Sequence, residues 1–178
     1  RLVSAHRRVV VVAMGRGGPR EPEVITIPPT VEALVELSRS GRHAASDHLE
    51  TAAITGVETV GCRRCGGGLA GAVTSSNVAK GASVAASLAP DLVVFDGSGA
   101  ALPPIAADRT VVVVGGHQDP AVVAGYLNSY RLLLADVVVV TMAEPQSGWE
   151  HVRRAVQAVV RPEVTVVGAV LRPRPVVD

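Results

Sequence analysis

RVVVVAMGRGGPREPE occupies residues 8–23, and its first half decides the fold. From Val9 to Met14 the chain is apolar without a break. Strict alternation would mark a strand with one wet face. An unbroken β-branched run marks a strand covered on both faces, the habit of parallel sheets. The run stops at Gly15 and gives way to Arg16, Gly17, Gly18, Arg20, Glu21 and Glu23.

The same design recurs. Apolar runs follow Glu23, Asp91, Thr110, Asp136 and Glu163, with a weaker one between Gly56 and Gly61. Helical patterns separate them. Thr30 is placed to cap a helix with Val31, Leu34, Val35 and Leu37 on one side, ending near Gly41. Further helices are expected over 47–54, over 77–89 before Pro90, from Pro120 towards Tyr126, and over 147–160. The last carries Trp149, Val152, Val156 and Val159 on one stripe. Strands alternating with helices predict an α/β domain with a mostly parallel sheet flanked by helices. No internal repeat or low-complexity linker divides the 178 residues, so residues 1–178 read as one domain.

Composition narrows the function. Hydrophobic residues make up 48% and aromatic residues 2%, which requires a core of Val, Ala and Leu. A net charge of +1 lacks the electrostatic footprint of a nucleic-acid binder. No apolar run reaches the ~18 residues that cross a bilayer, and no signal peptide is visible, so a cytoplasmic protein is expected. The chain begins at Arg1 without methionine and ends just after Arg172-Pro173-Arg174-Pro175; both ends read as cuts in a longer protein.

In parallel α/β folds, ligands sit beyond the carboxyl ends of the strands. The segments following the strands are rich in glycine and arginine. Arg16 with Gly17 and Gly18 forms one candidate anion cradle. Arg63 and Arg64 with Gly66, Gly67 and Gly68 form a second, next to a helix that starts near Asn77. Glycine lets backbone N–H groups approach an anion, and the guanidinium fork matches phosphate oxygens. The competing reading is a pair of ordinary loops with solvated arginines. Asp96 ends an apolar strand and leads into Gly97, Ser98 and Gly99. An acid in that place holds Mg²⁺ in nucleotide-hydrolysing domains, or simply caps a turn. Glu23 is a second metal candidate, and His117 is a candidate acid, base or phosphate donor. Cys62 and Cys65 have the spacing of half a zinc site, with His43 and His48 as the available partners. As a redox pair they lead into three glycines rather than a helix. Small, partly buried cysteines beside an anion loop are the preferred reading. No G-x-x-x-x-G-K-[ST] occurs in the chain, and its single lysine, Lys80, falls inside a helix.

Taken together, VVAMGRGGPREPEVI (11–25), GRHAASDHLETAA (41–53), GCRRCGGGLAG (61–71), DLVVFDGSGAALPP (91–104), GGHQDP (115–120) and VLRPRP (170–175) resemble the cyclic 2,3-diphosphoglycerate synthetases. The resemblance runs across nearly the whole chain in the family's order. It implies a P-loop NTPase-like fold of the dethiobiotin synthetase kind, truncated here, with the phosphate-binding loop upstream of Arg1. It implies an ATP- and Mg²⁺-dependent ligase that closes 2,3-diphosphoglycerate into its cyclic anhydride, and a piece inactive alone. A homo-oligomer is compatible with it. In that reading Arg16, Arg20, Arg63, Arg64 and the glycines hold the diphosphoglycerate and the transferring phosphoryl. Asp96 or Glu23 meets Mg²⁺, and Arg172 and Arg174 lie near the base or ribose of ATP. The rival readings are another ligase of the dethiobiotin synthetase type and a non-catalytic nucleotide- or zinc-binding module.

Overall fold

The computed structural model describes residues 7–41, 47–64, 66–67, 73–97, 102–126 and 128–172. Cys65, Gly68, Ser98, Gly99, Arg174 and His43, all singled out above, lie outside the described residues. The chain, read from sequence as one domain, forms two compact units, Arg1–Ala106 and Ala107–Asp178.

The first unit contains β1 (Val9–Gly15), β2 (Glu23–Ile25), α1 (Val31–Arg39), α2 (Asp47–Thr55), β3 (Thr59–Arg63), β4 (Gly66–Gly67), β5 (Val73–Thr74), α3 (Val78–Ser87) and β6 (Leu92–Asp96). Its main sheet has the order β2-β3-β1-β6. β1 runs parallel to both β3 and β6, and β2 adds an antiparallel edge. β1 is buried along its whole length, as its unbroken run requires. β6 has an equally unbroken run but alternates between exposed and half-buried residues, because it lies at the edge of this sheet. The alternation of side chains along a strand sorts the core. Val10, Val12, Met14, Val60 and Cys62 meet Val78 and Ala85 of α3. Gly61, between Val60 and Cys62, turns to the other face, where the buried His48 ring of α2 fills the space a Cβ would need.

Local signals explain the helices. Thr30 caps α1, its Oγ accepting from the Ala33 N–H at 3.2 Å. The stripe expected to bury α1 does not: no residue of this helix is buried, and Val31 is 68% exposed. α3 closes on Leu88, followed by Ala89 at φ 49° and then Pro90, which cannot continue a helix.

The second unit contains β7 (Val111–Gly115), α4 (Pro120–Val123), α5 (Asn128–Leu134), β8 (Val137–Thr141), α6 (Glu150–Gln157) and β9 (Thr165–Gly168). Its sheet, β7-β8-β9, is parallel throughout. Val138 and Val140 meet Val152 and Val156 of α6, with Trp149 and Val159 packed alongside, so the predicted stripe is the buried one. Asp119 caps α4, with Pro120 in its first turn. Among the described residues no helix is long and apolar enough to cross a membrane.

Candidate functional site

Parallel pairing sets the carboxyl ends of β1 and β3 side by side: Gly15 is in register with Arg63, and the Arg64 N–H donates to the Gly15 carbonyl at 3.1 Å. The loop after β1 folds back over β3. A Cβ on Gly18 would lie 2.0 Å from the carbonyl oxygen of Cys62, so only glycine allows this approach. Gly17 faces open space. Of the two glycines read as a cradle, Gly18 therefore serves packing.

Beyond this edge lies a cleft of about 760 Å³ lined by Arg20, Glu21, Arg63, Ser75, Ser76, Asn77, Ala79 and Lys80. Three cations, two hydroxyls and the first turn of α3 thus line one cavity. The helix N-terminus adds partial positive charge. Arg63 ends β3 in this wall. Its Nε is buried and, among the described residues, has no hydrogen-bond partner. A buried guanidinium N–H without an acceptor costs about 1–3 kcal/mol. Lys80 Nζ lies 2.5 Å from Glu21 Oε2. That hydrogen bond, with the lysine's charge, holds Glu21 below the usual carboxylate range.

The other expected residues sort as follows. Arg20 and Arg63 come together in the cleft. Arg64, one residue past the end of β3, does not line it. Arg16 is exposed in the β1–β2 loop. Gly66 and Gly67 pair with Val73 and Thr74 in the β4–β5 hairpin rather than lying in an open loop. Asp96 ends β6 exposed, in a sheet position next to Ala13. Glu23 lies on β2 at the opposite edge of the sheet, three strand spacings or about 14 Å away, so the two acids do not share an ion. Glu23 instead reaches His48 Nε2 at 3.4 Å. In the second unit His117 is exposed after β7, and Arg172 pairs with Glu144 at 3.6 Å.

The zinc reading fails on geometry. Cys62 is fully buried towards Gly81 of α3, whereas His48 packs on Gly61 across the sheet, so they cannot ligate a common ion. Burial pushes the Cys62 thiol up to about 11, the reverse of a reactive thiolate. Among the described residues no three His, Cys, Asp or Glu side chains gather in a metal-binding group.

Sequence reasoning missed Ser75, Ser76, Asn77 and Lys80 as cleft residues. The hydroxyl run before α3 was the signal for the serines. Lys80 sits one turn into α3, on the side facing Glu21, and the helical phase alone does not reveal that side.

Comparison with known proteins now gives the context. The family model described as cyclic 2,3-diphosphoglycerate synthetase, P-loop domain, matches residues 1–170. The protein of that name from Rubrobacter xylanophilus is 54% identical over 176 residues, covering 95% of this chain and 40% of its own. Those from Thermococcus gammatolerans and Methanothermobacter thermautotrophicus are 48% and 47% identical, covering 100% and 93% of this chain and 42% and 37% of their own. The chain thus spans about two fifths of the length of these curated relatives.

Proposed function

The chain belongs to the cyclic 2,3-diphosphoglycerate synthetase family, and from that premise we propose that its first unit binds 2,3-diphosphoglycerate in the Arg20–Arg63–Lys80 cleft. In the full-length protein the reaction would be an ATP-dependent ring closure. One phosphate of the substrate accepts the γ-phosphoryl group, with ADP leaving. An oxygen of the neighbouring phosphate then attacks the phosphorus of the activated one. The new P–O–P bond closes the ring, and inorganic phosphate leaves with the electron pair of the broken bond.

The difficulty of this chemistry is electrostatic. Two phosphates on adjacent carbons repel, and one anion must attack another. Preorganised cations lower that barrier, and holding both groups on one molecule supplies proximity. The gathering of Arg20, Arg63 and Lys80 around one cleft at the first turn of α3 supports the reading most directly. Arg20, Lys80 and the hydroxyls of Ser75 and Ser76 supply further contacts to the second phosphate and the carboxylate. Asp96, exposed at a strand end, is suited to a Mg²⁺ that keeps most of its waters, and Arg16 and Arg64 stand beside the transferring group. In the second unit, Arg172 is assigned to the base or ribose of ATP, and His117 to acid–base work or phosphate donation. The Mg²⁺ would supply charge neutralisation between the nucleotide phosphates.

The test is ADP release by the full-length protein with alternative substrates. Release dependent on 2,3-diphosphoglycerate supports the reading. Release with diamino acids instead would assign the chemistry to a ligase of the dethiobiotin synthetase type.

A further inference from the structure

Asn77 stands where a helix N-cap belongs, yet its side chain makes no cap hydrogen bond to α3. The Val78 N–H is met instead by Ser76 Oγ at 3.2 Å. The Asn77 amide is turned the other way, onto two segments remote in sequence. Its Oδ1 accepts from the Arg63 N–H at 2.7 Å. Its Nδ2 donates to the Pro19 and Arg20 carbonyls, each at 3.0 Å. Its backbone N–H donates to the Arg63 carbonyl at 3.1 Å.

One residue thereby clamps the backbone of all three segments that carry the cleft's cations. Arg63 is gripped through both its N–H and its carbonyl. Arg20 is held through its carbonyl, and Lys80 follows three residues later on the helix that Asn77 opens. Few side chains can do this. The role needs one acceptor and two donors in a single short planar group; aspartate offers acceptors alone and serine a single donor. Both N–H bonds of Nδ2 are already engaged by the protein, so Asn77 has no donor left for a bound anion.

We infer that Asn77 is a positioning residue for the anion cleft, setting the separation of Arg63, Arg20 and Lys80 to the two phosphates of the substrate. The inference rests on the cleft being the diphosphoglycerate site. It predicts a split in kinetics that a general folding role would not give. In the full-length protein, Asn77→Ala should raise KM for 2,3-diphosphoglycerate about tenfold or more while KM for ATP stays within about twofold.

Arg63→Ala, measured in parallel, separates the positioning role from the cleft itself. If Arg63→Ala weakens diphosphoglycerate binding and Asn77→Ala leaves its KM unchanged, the positioning role is refuted and the cleft survives. The role is equally refuted if Asn77→Ala raises both KM values alike. If Arg63→Ala itself binds diphosphoglycerate normally, the cleft assignment fails and takes this inference with it. Should Asn77→Ala not yield folded protein, Asn77→Ser keeps a hydroxyl there but cannot donate to both carbonyls, and the same selective rise in KM is required of it.

Discussion

Gly17 and Gly18 are chemically identical neighbours in the loop after β1, and the structure assigns them opposite tolerances. An alanine at Gly17 meets nothing within 4 Å. At Gly18 the same methyl group would sit 2.0 Å from the Cys62 carbonyl oxygen and 2.6 Å from its carbon, both backbone atoms that no rotamer change can move. To reach an ordinary contact of 3.4 Å the loop must lift by about 1.4 Å from β3. Overpacking of this kind costs ~1–3 kcal/mol. The displaced segment carries Arg16 and Arg20, whereas Arg63 stays on β3, so the cleft widens as the fold weakens. Hydrogen exchange of the β1 and β3 amides reads the local cost: about 5- to 150-fold faster exchange in Gly18→Ala, and no change in Gly17→Ala. Equal exchange in the two variants would refute the close approach and the registration of Arg20 against Arg63 derived from it.

Two further outcomes follow from the face of the sheet under the cleft. A Cβ at Gly81 would lie 2.0 Å from Cys62 Sγ, so Gly81→Ala should destabilise by ~1–3 kcal/mol, and Cys62→Ala should recover part of that loss in a double-mutant cycle. Because burial pushes the Cys62 thiol up to about 11, the folded state keeps its proton while the unfolded chain ionises in the ordinary thiol range. Denaturant titrations should therefore show stability falling from about pH 9 to about pH 11 in the native protein, with that component absent in Cys62→Ala.

What the sequence revealed follows the range of the interactions concerned. The runs at β1, β7 and β8, the cap at Thr30 and the stripe of α6 are local or periodic, and they were legible. The end of β3 was not. Gly61 and Cys62 are weak strand residues, and pairing with Ala13 and Met14 is what extends the strand to Arg63. α5 was missed because Tyr130, Leu133 and Leu134 stay largely exposed and only Leu132 is buried, so no clean stripe marks it. Glycine context identified Arg63 and the family resemblance Arg20, but neither could separate Arg63 from Arg64. That distinction depends on where β3 ends, which the pairing with β1 sets. The Asn77 contacts to Pro19, Arg20 and Arg63 exist only once three distant segments have met.

The cleft reading stands or falls on whether Arg63, at the end of β3 in the cleft wall, carries a phosphate of the substrate. Calorimetric titration of 2,3-diphosphoglycerate into the full-length protein and its Arg63→Ala variant addresses it directly. Loss of a charge-assisted contact predicts binding about 10- to 150-fold weaker, with ATP affinity preserved. Equal affinity of the two proteins for 2,3-diphosphoglycerate would contradict it.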